Sequence, residues 1–169
     1  KFLGKPYEPN AIIKNDMEFI LMQRKPGGYR KPTEQQRRAS RIEKETFDRW
    51  FQQIWNITGA STQHHPAPFP LELATRLVRM FSFTEDTVMD PFCGSGTTMI
   101  AALRTGRNSI GIEIDSEYCR MAARYLKAET SDLFATAELR FEQAPTEAAS
   151  LLKEDPVLYE VRPAKKKLE

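Results

Sequence analysis

The chain has 169 residues, 40% of them hydrophobic and 28% charged, which suits one packed domain of ordinary size and argues against global disorder. Its longest apolar runs are too short to cross a membrane, and no signal peptide precedes them. The two cysteines, Cys93 and Cys119, lie in unrelated contexts, so we expect neither a metal site nor a disulfide framework. These features predict a protein of the reducing cytoplasm with no membrane partner.

The formal net charge of +2 is unevenly distributed along the chain. Residues 1–60 contain 12 Lys and Arg against 7 Asp and Glu, and the rest of the chain is mildly acidic. Between positions 24 and 41, one acid, Glu34, stands among seven basic residues: Arg24, Lys25, Arg30, Lys31, Arg37, Arg38 and Arg41. Charge alone leaves two interpretations equally open, a segment that faces nucleic-acid phosphates and a solvated helix face.

The first third of the chain predicts loops, one strand and two short helices. The apolar run over residues 18–24 predicts a strand buried on both faces, ended by a Pro-Gly-Gly break. Thr33 and Gln36 have the form of a capping box, which predicts a helix to about Ala39. A second helix is predicted over 44–53, and its apolar face is interpreted as core rather than as a base-stacking surface: Phe47, Trp50, Phe51 and Ile54.

The rest of the chain predicts alternating strands and helices. Prolines stiffen residues 65–70, and Pro70 suits the first turn of an amphipathic helix that extends to about Ser82. The apolar stripe of that helix consists of Leu73, Leu77, Met80 and Phe81.

Farther along, the apolar period predicts a strand over 87–92, a tight turn over 93–96, a helix over 97–104 closed by Gly106, a strand over 109–114, a helix from its N-cap Ser116 to about Lys127, a strand over 137–142 and a helix over 147–153. This β-turn-α-β-α order is the unit of a doubly wound parallel sheet.

The stretch from Asp90 to Thr98 leaves a strand, turns on two glycines and opens a helix. Gly94 and Gly96 allow positive φ angles and the close approach of a ligand, and the helix start offers free N–H groups to a carboxylate or phosphate. Glu113 ends the next strand, 19 residues after Gly94. An acidic residue at that place accepts hydrogen bonds from ribose hydroxyls in nucleotide-type sites.

Three kinds of ligand compete for this turn. A dinucleotide fingerprint requires a third glycine where the chain has Met99, and a P-loop requires a lysine that does not follow Gly96. A nucleoside with one carboxylate and no phosphates fits better, and S-adenosylmethionine is such a molecule. On the turn alone, a plain strand-to-helix connection with an incidental acid also remains open.

Three segments in this order resemble the bacterial DNA amino-methyltransferases of the N6-adenine and N4-cytosine kind. They are His65-Pro66-Ala67-Pro68-Phe69-Pro70, Asp90-Pro91-Phe92-Cys93-Gly94-Ser95-Gly96-Thr97-Thr98 and Gly111-Ile112-Glu113-Ile114-Asp115. The permuted group, in which the catalytic motif precedes the cofactor motifs, is the closest match. Residues 10–21 and 24–30 resemble that group's late catalytic-domain strand and the start of its target-recognition region, so the resemblance covers about residues 1–128.

The resemblance implies an α/β, Rossmann-like S-adenosylmethionine-dependent methyltransferase fold, with an incomplete parallel or mixed sheet and flanking helices. It implies S-adenosylmethionine as cofactor and double-stranded DNA as partner. The cofactor-binding residues that it implies are His65, Pro66, Phe69, Asp90, Phe92, Gly94, Ser95, Gly96, Thr97, Thr98, Glu113 and Ile114. The local charge adds the expected DNA contacts Arg30, Lys31, Arg37 and Arg38.

Within that implied set, the residues have different roles. Thr97 and Thr98 offer helix-end donors to the methionine carboxylate, Glu113 binds the ribose, and Ile114 lies against the adenine ring. The block around His65 lies near the methionyl group, although without the resemblance His65 would be interpreted as an ordinary loop histidine. Ile114 has the alternative role of a core strand residue.

The chain departs from the family at the catalytic motif, which is Asp, Asn or Ser followed by Pro-Pro and an aromatic residue. That motif holds the flipped base and its exocyclic amine. The chain contains no Pro-Pro dipeptide, and Asp90-Pro91-Phe92 lies in the cofactor turn and is rejected as an equivalent. We therefore expect no catalytic residue here, and an inactive C-terminal part whose N-terminal catalytic half was cut off or lies on another polypeptide.

Two other functions stay open at this point. One is a non-catalytic partner subunit that binds S-adenosylmethionine or DNA, and the other is part of a methyltransferase that acts on RNA or a small molecule. An incomplete sheet would leave an exposed edge, which would favour a homodimer. The expected location is the bacterial cytoplasm, at the nucleoid.

The predicted organisation has four parts: a late catalytic-domain strand and loop over 1–30, a basic helical segment and possible target-recognition region over 31–62, an S-adenosylmethionine-binding βαβ region over 63–155, and a tail over 156–169. The final Leu168-Glu169 resembles a vector scar. Lys1 in place of Met indicates a chain that begins inside a longer protein or has been cut.

Overall fold

A computed structural model of the chain describes residues 17–28, 30–60, 69–130 and 138–142. The chain divides into two units, residues 1–31 and residues 32–169. Several predictions fall outside the described residues: the loop over 1–16, the positions of His65 and Pro66, the helix over 147–153 and the tail from 156. The four-part organisation stays a prediction.

In the first unit, the predicted strand over 18–24 is wrong. These residues form neither strand nor helix, and their apolar side chains are exposed, with Phe19 80% and Leu21 86% accessible. A continuous apolar run becomes a doubly buried strand only where neighbouring strands and covering helices exist. Among the described residues no strand pairs with this segment.

The second unit begins with two short helices, α1 over Glu34–Ala39 and α2 over Lys44–Trp50. The capping box is confirmed, because the Gln36 N–H donates to Thr33 Oγ1 at 3.1 Å and the Thr33 N–H donates to Gln36 Oε1 at 3.1 Å. Helix α2 ends three residues before its predicted end.

The predicted apolar face of α2 is core at one position only. Trp50 is buried, whereas Phe47 and Phe51 stack on each other with their ring centroids 4.0 Å apart and remain nearly half exposed. The helix ends at Phe51, so Ile54 no longer continues its face and is 74% exposed. The interpretation of all four side chains as core is therefore wrong.

Helix α3 covers Leu71–Phe81 and is preceded by Pro70 as its N-cap, one position earlier than predicted. Its inward face consists of Ala74 and Val78, which pack with Ala101 and the partly buried Leu71 and Val88. The predicted stripe is only half buried, and Phe81 is 56% exposed. Small side chains occupy the inward face because they let α3 approach its neighbour closely.

The sheet has two parallel strands, β1 over Thr87–Asp90 and β2 over Asn108–Gly111, with Thr87 opposite Asn108. Both strands are shorter at their carboxyl ends than predicted. The pairing nevertheless continues, because the Ile112 N–H donates to the Asp90 carbonyl at 2.9 Å. Helix α4, Thr97–Arg104, has the predicted bounds, and Gly106 follows it with a φ of 72°.

Helix α5 covers Ser116–Thr130 and completes the predicted β-turn-α-β-α order. The predicted N-cap is wrong by one residue, because Asp115 holds that place. Its carbonyl accepts the first intrahelical bond, from the Cys119 N–H at 2.9 Å, and its Oδ1 accepts from the Glu117 N–H at 2.7 Å. Residues 138–142, where a further strand was predicted, form no strand.

Helix α4 is the centre of the packing. Its Ala101 and Ala102 are fully buried, and its Met99 lies in a cluster with Cys93, Ala122 and Leu126. Met99 occupies the space over Gly111, where an added Cβ would be 2.3 Å from Met99 Sδ. The close approach of helix and strand that a glycine at position 99 would provide thus comes from a glycine on the facing strand.

The opposite face of the sheet is open in the described part of the chain. Met89, Ile110 and Ile112 are each more than half exposed there. Within the same described ranges, no helix is long and apolar enough to cross a membrane.

Candidate functional site

The turn between β1 and α4 depends on two glycines in the left-handed region. Gly94 has a φ of 51° and Gly96, the N-cap of α4, has a φ of 90°. The Gly96 N–H donates to the Cys93 carbonyl at 2.8 Å, which closes the turn. A Cβ at Gly96 would be 3.1 Å from the Ala122 Cβ, so the turn also packs tightly on α5.

The start of α4 presents unpaired donors at the carboxyl edge of the sheet. The first bond of the helix runs from the Ile100 N–H to the Gly96 carbonyl at 3.0 Å. The N–H groups of Thr97, Thr98 and Met99 therefore have no partner inside the helix. With the helix dipole they can bind an anion such as a carboxylate.

Asp90 holds the turn together from the end of β1. Its Oδ2 accepts from Thr98 Oγ1 at 2.6 Å, and its Oδ1 accepts from the Phe92 N–H at 3.0 Å. The Thr98 hydroxyl is thereby already used, which leaves its backbone N–H as the donor for a ligand. The contribution expected of Asp90 is the shape of the turn, since both of its oxygens accept bonds from within it.

Glu113 joins the ends of the two strands. Its Oε2 accepts from the Gly94 N–H at 2.8 Å, and its Oε1 accepts from the N–H groups of Ile114 at 2.8 Å and Asp115 at 2.9 Å. A carboxylate has about four acceptor positions, so Oε2 can still accept from a ligand hydroxyl. The sequence-predicted pairing of the glycine turn with the acid 19 residues later is therefore a direct contact.

Apolar side chains surround this polar turn. Phe92 is 87% exposed directly after β1, and Ile114 is fully exposed after β2. Phe69 lies just before α3, whose short connection to β1 makes the helix run back along the sheet and places its first turn toward the carboxyl edge. These surfaces can cover the flat or apolar parts of a small molecule.

Cys93 lies beneath the turn in the core cluster. Burial, and then the nearby carboxylates of Asp90 and Glu113, raise the pKa of its thiol from an ordinary value of 9.0 to about 11. A raised folded-state pKa stabilises the fold below pH 9, and that stabilisation is lost as the pH rises from 9 toward 11. The thiol thus stays protonated at neutral pH.

The two cysteines are expected to differ in reactivity, because the thiolate is the nucleophile. At pH 8, iodoacetamide should modify the exposed Cys119 of the native chain and leave Cys93 unmodified. Intact-mass spectrometry would then show one adduct on the native chain and two after unfolding. Two adducts on the native chain would contradict the burial of Cys93.

The structure does not bring the basic helix α1 to the turn. The Gln36 side-chain amide donates to the Thr84 carbonyl at 3.1 Å and to Glu85 Oε2 at 3.2 Å. Thr84 and Glu85 precede β1, so α1 lies at the amino edge of the sheet, whereas the glycine turn lies at the carboxyl edge.

The four expected DNA contacts are also in different surroundings. Arg30 and Lys31 fall in the first unit, and Arg37 and Arg38 lie on α1 in the second. Arg38 is exposed and pairs with Glu34 at 3.2 Å.

Sequence reasoning missed three residues that shape this unit. Gly111 had a signal, since a glycine inside a strand marks a close approach. Asp115 had the weaker signal of an acid directly before Ser116. Arg76, which is buried on α3, had none, because its position follows the polar side of the helix. Among the described residues, no cluster of His, Cys, Asp and Glu could hold a metal ion.

Residues 4–124 match the model of a family described as DNA methylase. The chain is 51% identical over 123 residues to the type II methyltransferase M.MjaI of Methanocaldococcus jannaschii, covering 68% of this chain and 40% of that protein. It is 32% identical over 139 residues to the DNA adenine methyltransferase YhdJ of Escherichia coli, covering 75% and 46%. The chain thus spans less than half the length of these relatives.

A solved structure of similar fold is the DNA modification methylase TTHA0409 of Thermus thermophilus, in complex with S-adenosyl-L-methionine. It is 54% identical in sequence with a TM-score of 0.65, covering 77% of this chain and 51% of that one. This likeness confirms the predicted fold class, an α/β methyltransferase fold.

Proposed function

Because the chain belongs to the DNA methylase family, we propose that it supplies the cofactor-binding part of an S-adenosylmethionine-dependent DNA methyltransferase that acts on an exocyclic amine of adenine or cytosine. The observation that carries the proposal is the bond from the Gly94 N–H to Glu113 Oε2 at 2.8 Å. It brings a ribose acceptor, a glycine turn and free helix-end donors to one point at the carboxyl edge of the sheet.

The residues at this point fit S-adenosylmethionine part by part. The free N–H groups of Thr97 and Thr98 suit the methionine carboxylate, and Glu113 Oε2 suits a ribose hydroxyl. The exposed Ile114 and Phe92 suit the adenine ring and the methionyl chain. The bound cofactor would supply a methyl group on a sulfonium centre. Ser95 in the turn and, farther upstream, His65 and Pro66 complete the proposed set.

The neutral, one-carboxylate ligand is favoured over a phosphate ligand by the side chains around the helix end. Asp90 and Glu113 both lie at the turn, and neither is paired with a lysine or arginine among the described residues. A di- or triphosphate would meet two carboxylates without a compensating cation. A ligand with a single carboxylate and two ribose hydroxyls avoids most of that repulsion.

Transfer to DNA requires groups that hold the target amine, and the chain has no Pro-Pro-aromatic motif. We therefore expect this chain by itself to bind the cofactor without methylating DNA. The open sheet face at Met89, Ile110 and Ile112 supports a further protein surface there, either the catalytic half or a second copy. Family relatives that modify DNA make the bacterial cytoplasm the expected location.

Calorimetric titration of the chain with S-adenosylmethionine tests the cofactor proposal. Saturable one-to-one binding is expected, and S-adenosylhomocysteine should compete because it keeps the carboxylate and the ribose. A titration with ATP is the control, since its phosphates should not be accommodated at this turn. A folded chain that binds neither adenosyl compound, or binds ATP equally well, would overturn the proposal.

Neutralising the expected DNA contacts should weaken duplex binding. In a variant with Arg30, Lys31, Arg37 and Arg38 changed to glutamine, each lost phosphate contact should flatten the log–log salt dependence by about one unit. Fluorescence anisotropy with a labelled duplex at several salt concentrations measures the slope. The matched control carries the same change on the other side of the unit, at Arg120, Arg124, Lys127 and Arg140. Equal slopes in the two variants would contradict the assignment.

A further inference from the structure

Arg76 is a cation buried between two indoles. It lies two residues from both Ala74 and Val78, which places it on the face of α3 opposite the core. Only 7% of it is exposed, and its Cζ is 5.9 Å from the ring centroid of Trp50 and 5.5 Å from that of Trp55. The guanidinium group is thus covered by aromatic rings rather than by solvent.

Polar contacts tie this cluster together. Arg76 Nη2 forms an ion pair with Glu72 one turn earlier, and Trp55 Nε1 donates to the Trp50 carbonyl at 2.7 Å. Arg79 adds a second cation, 5.3 Å from the Trp50 ring. We call Trp50, Trp55, Arg76 and Arg79 the tryptophan clamp.

A buried arginine is an expensive way to fill space. Its Nε is buried and has no hydrogen-bond partner among the described residues, and an unsatisfied buried donor is destabilising. An aliphatic side chain would avoid that loss. The planar guanidinium instead fixes the orientation of the ring that stacks on it, so orientation rather than burial alone explains the choice of arginine.

The clamp is the described attachment of residues 43–57 to the rest of the unit. Apart from the clamp, no hydrogen bond or ion pair joins these residues to α3, α4, α5 or the sheet within the described ranges. The preceding helix α1 is held separately, by the bonds of Gln36 to Thr84 and Glu85. The segment from α1 to Trp55 is therefore attached at two places, both of them along α3 and the loop that follows it.

We propose that Arg76 is a positioning residue for DNA engagement, holding the segment that carries Arg37 and Arg38 in a fixed orientation on the cofactor-binding unit. This proposal rests on the proposed function, because it assumes that this segment contacts DNA. It separates DNA binding from cofactor binding. The glycine turn is held by its own bonds to Asp90 and Glu113, and no described bond links it to the clamp.

The test uses Arg76→Met, which removes the cation, and Arg76→Lys, which keeps the charge without the planar stack. Arg124→Met is the matched control, because Arg124 lies 5.6 Å from the Tyr125 ring on the exposed side of α5 and its replacement changes the charge equally. Trp50 and Trp55 are the chain's two tryptophans, so indole emission reports on the clamp directly. Duplex DNA affinity is measured by anisotropy and S-adenosylmethionine affinity by calorimetry.

Arg76→Met is expected to shift indole emission to longer wavelength and to raise the Kd for duplex DNA about tenfold, the scale of a desolvated cation–π contact. The Kd for S-adenosylmethionine should change less than about twofold, and Arg76→Lys should fall between Arg76→Met and the wild type for DNA. Arg124→Met should leave indole emission and cofactor binding unchanged.

Three results would overturn the proposal. Equal DNA affinity in Arg76→Met and Arg124→Met would reduce the effect to charge. Parallel loss of DNA and cofactor affinity in Arg76→Lys would show a general loss of structure. Unchanged indole emission in Arg76→Met would remove the clamp itself. Absence of DNA binding by the wild-type chain would be a different failure, because it would remove DNA from the proposed function and the inference with it.

Discussion

Replacing Glu113 with alanine is expected to weaken S-adenosylmethionine binding by about 1–3 kcal/mol, the scale of a lost charge-assisted hydrogen bond. The structure adds a second reason for the loss. The Glu113 carboxylate accepts three backbone N–H groups, from Gly94, Ile114 and Asp115. Alanine would leave all three donors without this partner, so the glycine turn would lose its link to β2 as well as its ribose acceptor.

Glu113→Gln separates these two effects. The glutamine carbonyl can still accept from the N–H groups of Ile114 and Asp115, but its amide would set a donor against the Gly94 N–H. We therefore expect affinity between that of the wild type and that of Glu113→Ala. Glu117→Ala, an exposed acid in the first turn of α5, is the matched control and should bind as the wild type does.

Calorimetry gives the affinities of these variants, and thermal unfolding shows whether the turn is destabilised. Wild-type affinity in Glu113→Ala would remove Glu113 from the site. A fall in Tm without a change in affinity would leave Glu113 a structural role alone.

Replacing Gly96 with alanine is expected to destabilise the chain by about 1–3 kcal/mol, because two costs add at this position. A φ of 90° is unfavourable for any residue with a Cβ. That Cβ would also lie 3.1 Å from the Ala122 Cβ and 3.4 Å from the Ala122 Cα, which is backbone and cannot rotate away. Helix α4 and α5 would have to separate by a few tenths of an ångström.

Such a shift should reach the cofactor as well, since Gly96 is the N-cap of α4 and sets the direction of the free N–H groups of Thr97 and Thr98. Gly59→Ala is the matched control, because an added Cβ at Gly59 meets nothing within 4 Å. Thermal unfolding and calorimetry of the two variants measure stability and affinity. A Gly96→Ala chain with the Tm and affinity of the control would show that neither the strain nor the contact matters.

The sequence by itself determined the elements whose causes are local. The bounds of α4 follow from Gly96 before it and Gly106 after it, and the capping box of α1 follows from Thr33 and Gln36 three positions apart. The alternation of β1, α4, β2 and α5 follows from the change of apolar period. The relation of Gly94 to Glu113 was predictable for the same reason, since a strand-helix-strand unit of known length returns the chain to the same edge of the sheet.

Only the tertiary structure decided features that depend on what surrounds an element. The apolar run over 18–24 is not a strand, because no described strand pairs with it. The aromatic face of α2 is core at Trp50 alone, and α1 lies at the edge of the sheet away from the glycine turn, because Gln36 bonds to Thr84. Arg76 is buried because two indoles distant in sequence cover it. Periodicity records which side of an element is apolar, whereas the partner that covers that side is chosen by contacts between residues far apart in the chain.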